Sequence, residues 1–130
     1  MDVTISVAGR NAIEERRSLF TWLAGEEEFR GRVRLVESAL LPGTLGGWPE
    51  VVAVVLSQGG AVTVLASAVI AWIRHRTSEV TCTMTRPDGT SVKLTATRVR
   101  ATDLAGVGDL VEQVAAALAD GTEGPRERTR

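Results

Sequence analysis

From Val51 to Ile73 the chain runs for twenty-three residues without a charged side chain, between Trp48-Pro49-Glu50 and Arg74-His75-Arg76. This run dominates the folding problem of a 130-residue protein, because a helix apolar on every side needs lipid or a large core around it. Read as one helix at about 1.5 Å per residue it would reach about 34 Å, against a hydrocarbon layer of about 30 Å. Eleven Val, Leu and Ile residues favour insertion, while Ser57, Gln58, Gly59, Gly60, Thr63 and Ser67 oppose it near the centre. Seven valines and the Gly59-Gly60 pair also lower helix propensity, so in water the segment can break into two shorter helices. Three placements stay open: insertion in a membrane, burial in an oligomer or partner complex, and packing inside the monomer.

The candidate interaction or membrane surface is therefore the run with its flanks: Trp48, Val52, Val55, Leu56, Gly59, Gly60, Val64, Ser67, Ala68, Trp72, Arg74 and Arg76. Gly60, Val64 and Ser67 or Ala68 fall on one stripe of small or modest residues, where another helix could approach. Trp48 and Trp72 bracket the run, as interfacial tryptophans do, though tryptophan is as readily a core residue. If the run spans, Arg74, Arg76, Arg86 and Lys93 outnumber Arg32 and Arg34, which would put the C-terminal side in the cytoplasm. That topology would strand the first strand and helix away from the rest, which favours peripheral or oligomeric insertion over a simple span.

The rest of the chain is conventional. Fifteen basic and sixteen acidic residues are interspersed, leaving no electrostatic footprint for nucleic acid. Cys82 is the only cysteine, which excludes an intramolecular disulfide and suits a reducing cytosol. The first residues alternate like a strand and lack the features of an export signal, so a cytoplasmic protein is expected, peripheral to or inserted in the inner membrane if the run meets lipid.

Val3, Ile5 and Val7 alternate with Thr4 and Ser6, a strand with one buried face. Asn11 can cap a helix carrying Ala12, Arg16, Leu19, Phe20 and Leu23 at helical spacing, with Glu14 and Glu15 in its first turn. Glu26-Glu27-Glu28 reads as a solvated run, and Val33, Leu35 and Val36 as a second strand with Arg32 and Arg34 outward. Strand, helix, strand suggests a parallel crossover. Val80, Cys82 and Met84, then Val92, Leu94 and Ala96, alternate with polar residues around Arg86-Pro87-Asp88-Gly89-Thr90, which predicts an antiparallel hairpin. Leu104, Val107, Val111, Val114 and Leu118 predict a last helix, stopped by Gly121. The expected architecture is α+β in the order β-α-β-α-β-β-α: a four-stranded mixed sheet, two packing helices, and one long apolar helix at 50–76. It differs from the βαββαβ order of ferredoxin-like sandwiches. Residues 1–121 are expected to form a single domain, and the charged tail 122–130 to be disordered.

Catalytic chemistry finds little footing. His75 sits between two arginines and reads as a surface residue at a helix end, and Cys82 alternates in phase with Val80 and Met84 as a small buried hydrophobe. No spacing suits a metal, and no cofactor is expected. Pro42-Gly43-Thr44-Leu45-Gly46-Gly47 could cradle an anion but lacks the lysine and hydroxyl of a P-loop, and reads better as a hinge into the apolar run.

Five stretches in order carry a resemblance: Arg17-Ser18-Leu19-Phe20-Thr21-Trp22-Leu23, Phe29-Arg30-Gly31-Arg32-Val33, Pro42-Gly43-Thr44-Leu45-Gly46, Ala71-Trp72-Ile73-Arg74 and Thr85-Arg86-Pro87-Asp88-Gly89-Thr90. Together they resemble the effector-associated constant component one family, over nearly all of the chain before the tail. The resemblance implies a small accessory protein of bacterial NTP-dependent conflict systems, encoded beside effectors that are often caspase-like or trypsin-like peptidases. It carries no catalytic motif. On that basis the expected function is a non-enzymatic adaptor or scaffold that couples or assembles an effector through the apolar helix, and the chain is expected to homo-oligomerise. The alternative is a membrane-perturbing component that releases the 51–73 helix on activation.

Overall fold

A computed structural model describes residues 2–37, 50–56 and 59–120. Its strands are β1 (Asp2–Gly9), β2 (Val33–Glu37), β3 (Glu50–Val55), β4 (Val80–Thr85) and β5 (Ser91–Thr95). They form one sheet in the order β2-β3-β1-β4-β5, antiparallel at every pairing. Its helices are α1 (Ala12–Ala24), α2 (Gly59–Arg74), α3 (Ala96–Ala101) and α4 (Leu104–Asp120), with a 3-10 turn at Glu27–Phe29.

The apolar run is not one helix. Its first part is β3, and α2 begins only at Gly59. Four β-branched valines fall within β3, which lies between β1 and β2 and is buried on both faces: Val52 and Val54 point into the core, while Val51 and Ala53 are shielded on the other side. A strand buried on both faces has no alternation to betray it. The expected helix at 50–76 is thus corrected to a strand and a 16-residue helix. No helix among the described residues is long and apolar enough to cross a membrane.

Finding β3 corrects the sheet as well, from four mixed strands to five antiparallel ones. β1 and β2 do share a direction, as the strand-helix-strand reading requires, but both pair antiparallel to β3 between them rather than to each other. With β3 restored, β1-α1-β2-β3-α2-β4 in the order β2-β3-β1-β4 is the ferredoxin-like split βαβ arrangement. The expected departure from that fold is corrected accordingly, and β5 extends the sheet beyond it.

Register decides which face is covered. One row of side chains, Leu35, Val52, Ile5, Met84 and Val92, crosses all five strands. Its Val52, Ile5 and Met84 belong to the core cluster and Leu35 and Val92 pack against it, with Leu19 and Leu23 from α1, Leu65, Val69, Ile70 and Ile73 from α2, Val99 from α3 and Leu110, Val114 and Leu118 from α4. The neighbouring row is Arg34, Ala53, Thr4, Thr85 and Ser91, and none of it joins that cluster. All the helices therefore cover one face, with α2 between α1 and α4.

The β4–β5 hairpin forms as the sequence predicts, with Gly89 at φ +96° and the Thr90 N–H donating to Asp88 Oδ1 at 2.9 Å. Ala96 is not in β5: Thr95 ends the strand and its hydroxyl accepts from the Arg98 N–H at 3.2 Å, capping α3. Arg86 reaches from the hairpin to the Leu118 and Ala119 carbonyls, which the last turn of α4 leaves without intrahelical partners. Asn11 precedes α1 without a side-chain cap bond, Ile13 and Leu104 point to solvent, and Phe29 in the 3-10 turn is fully buried.

Candidate protein interaction groove

The seam between α1 and α2 is antiparallel, with a rung at each turn. Arg76 Nη2 stands 2.6 Å from Glu15 Oε1. One turn on, Trp72 Nε1 donates to Ser18 Oγ at 3.1 Å, and Arg76 Nη1 donates to the same oxygen at 3.1 Å. Trp22 Nε1 then donates to the Ala68 carbonyl at 3.0 Å. Positions 15, 18 and 22 lie on one side of α1 at the three- and four-residue spacing of a helix, and 68, 72 and 76 match them from α2 and the residues after it. The Arg76 guanidinium also lies 5.2 Å from the Trp72 ring centroid, a cation–π contact.

The seam opens to solvent around the third rung. A groove of about 370 Å³ opens there, lined by Trp22 and Glu26 on one side and by Thr63, Val64, Ser67, Ala68 and Ala71 of α2 on the other. Its floor is small side chains and its wall is an indole, 37% exposed, whose ring lies 5.9 Å from that of His75. Tryptophan, with tyrosine and arginine, is enriched among the side chains that carry the binding energy of protein interfaces.

The residues singled out from sequence divide between core, groove and seam. Val52, Leu56 and Trp72 are buried, so Trp72 is a core side chain and not an interfacial one. Val55 is half-buried at the end of β3, and Gly59 and Gly60 open α2. Val64, Ser67 and Ala68 come together in the groove. Arg74 donates to the Thr102 carbonyl at 2.8 Å and to that of Val99 at 3.4 Å, at the end of α3, and Arg76 is held by Glu15 and Ser18. Both arginines thus make hydrogen bonds within the protein. Trp48 and the Pro42–Gly47 loop lie outside the described residues.

Four groove residues escaped the sequence reading: Thr63 and Ala71, which lie within the apolar run, and Trp22 and Glu26, which lie outside it. Trp22 stands off the Leu19–Leu23 face of α1, and its pairing with Ala68 depends on a contact across 46 positions. Glu15 escaped it too: placed in the first turn of α1, it looked like a solvated partner of the helix dipole, yet it is 4% exposed.

Nucleophilic chemistry is poorly served. Cys82 is fully enclosed, and burial, with a contribution from the Glu15 carboxylate, pushes its thiol up to about 12. His75 lies on the outer surface against Trp22, so the structure does not bring the two together. The Ser78 hydroxyl donates to Glu15 Oε2 at 2.6 Å, and Glu79 is taken by Arg100 and Thr97. Among the described residues, no group of three or more His, Cys, Asp or Glu side chains is placed to hold a metal ion.

Two of the stretches that carry the family resemblance contribute to this region: the first supplies Ser18 and Trp22, and Ala71-Trp72-Ile73-Arg74 closes α2, while Thr85–Thr90 forms the hairpin elsewhere in the fold whose Arg86 secures α4. No curated protein and no solved structure matches the chain significantly. A family model, Effector Associated Constant Component 1, matches residues 8–117. The chain thus belongs to the Effector Associated Constant Component 1 family, an accessory component of effector-associated systems.

Proposed function

We propose that this protein is a non-enzymatic adaptor that holds an effector, such as a caspase-like or trypsin-like peptidase encoded beside it, in the groove between α1 and α2. The observation that carries the reading is Trp22: its indole N–H is fixed to the Ala68 carbonyl while its ring stands open over a floor of small residues. An anchor fixed before binding loses little side-chain freedom on association, and small residues opposite it let a second helix approach to about 8–10 Å between axes. The enclosed Cys82 and the engaged Ser78 and Glu79 favour binding over catalysis.

The test is co-expression with the neighbouring peptidase, followed by light scattering of the purified material. A stoichiometric complex is expected from the wild type and from Lys93→Trp, which alters an exposed side chain on β5, whereas Ser67→Trp fills the groove and prevents assembly. Complex formation unaffected by Ser67→Trp would refute the groove as the binding site.

A further inference from the structure

The groove is not electrically neutral. Glu26 is part of its lining, and Glu27 and Glu28 follow as exposed side chains in the 3-10 turn at that end. Among the described residues none of the three carboxylates has an ion-pair or side-chain hydrogen-bond partner, since Arg16 is paired with Glu50, Arg76 with Glu15 and Arg100 with Glu79. Among the described residues no lysine or arginine lines the groove; His75 lies against Trp22, and Arg30 follows the turn and offsets part of its charge. Helix-end electrostatics account for part of this: α2 has no acidic residue in its own first turn and Glu26 lies beside Thr63 and Val64 one turn in, while Glu27 and Glu28 stand in the first turn of their own 3-10 helix. A single 3-10 turn carries little dipole, so these two exposed carboxylates stay largely uncompensated.

Resting on the adaptor reading, we infer that the occupant is a basic amphipathic helix of the effector. Its apolar face would lie along Thr63 to Ala71, about 12 Å or two turns at the helical rise, and lysine or arginine on its flank would meet the acidic turn. Two turns present apolar side chains at i, i+3, i+4 and i+7, the number a floor of this length can seat. The acidic rim sets both orientation and preference, because it repels a helix with an acidic flank.

The test uses the full-length chain and two synthetic helical peptides with the same leucine–alanine face, one flanked by lysine and the other by glutamate, titrated by calorimetry. The lysine peptide is expected to bind about ten-fold more tightly, the combined effect of a few exposed ion pairs. Glu26→Gln/Glu27→Gln/Glu28→Gln should abolish most of that preference, as should raising the salt, while Ser67→Trp should abolish binding of both peptides. Equal binding of the two peptides, no binding of either, or a preference that survives the triple substitution would overturn the inference. If Ser67→Trp still blocks the effector complex in those cases, the groove remains the docking site and only the chemistry of its occupant is wrong.

Discussion

Glu15 and Arg76 meet at 2.6 Å across the α1–α2 seam, where the Glu15 side chain is 5% exposed and that of Arg76 31%. The Arg76 contact to Glu15 Oε1 is an ion pair by distance but lacks hydrogen-bond alignment, while Oε2 receives the Ser78 hydroxyl at 2.6 Å. Arg76 in turn reaches Ser18, which holds Trp72. One carboxylate thereby fixes the spacing of the two helices that form the groove.

Glu15→Gln leaves Arg76 without its counter-charge in a half-buried site. A loss of about 2 kcal/mol is expected, below the roughly 3–5 kcal/mol for breaking a fully buried pair because Arg76 keeps some contact with water. Urea denaturation measures it. Glu15→Gln with Arg76→Gln should recover part of the loss, since neither charge is then left unpaired.

Arg86→Ala removes the side chain that secures the Leu118 and Ala119 carbonyls. The expected loss is about 1 kcal/mol. Amide exchange should accelerate in the last turns of α4 and leave the amides of β1 unchanged.

Cys82 gives the stability a pH dependence with a definite sign. The unfolded thiol loses its proton near the ordinary value of 9.0, the folded one only near about 12. Between those values the folded state binds more protons, so stability falls as pH rises through the window. Cys82→Ala should flatten this slope between pH 9 and 10.5, and the wild-type thiol should resist a disulfide reagent at pH 8 until urea unfolds the chain.

Gly9 has φ +152°, and a Cβ built there would stand 2.8 Å from the Glu79 carbonyl oxygen. Backbone on both sides leaves no flexible atom to yield. Gly9→Ala is expected to cost about 2 kcal/mol or more, read as a lower thermal midpoint.

How much of this was legible in the sequence depended on periodicity. β1, β4 and β5 alternate cleanly because one face is core and the other, carrying Thr4, Ser6, Thr83 and Lys93, lies outside it, and Pro87-Asp88-Gly89 marks the turn. β3 is buried on both faces, so it merged with α2 into an apparent span, although Val51, Val52, Val54 and Val55 and the glycines after them offered a compositional cue. Missing it concealed the ferredoxin-like order. In the groove, Val64, Ser67 and Ala68 were visible as a stripe of helical spacing. Trp22 and Glu26 were not, because what brings them to that stripe is the antiparallel pairing of α1 with α2, a relation between segments that no local pattern encodes.

The most direct measurement is an amide-exchange footprint of the protein in its complex with the effector. Protection of residues 20–26 and 63–71, with β4 and β5 unchanged, is the predicted result. Protection confined to the sheet face opposite the helices, with the groove exchanging as in the free protein, would contradict the account.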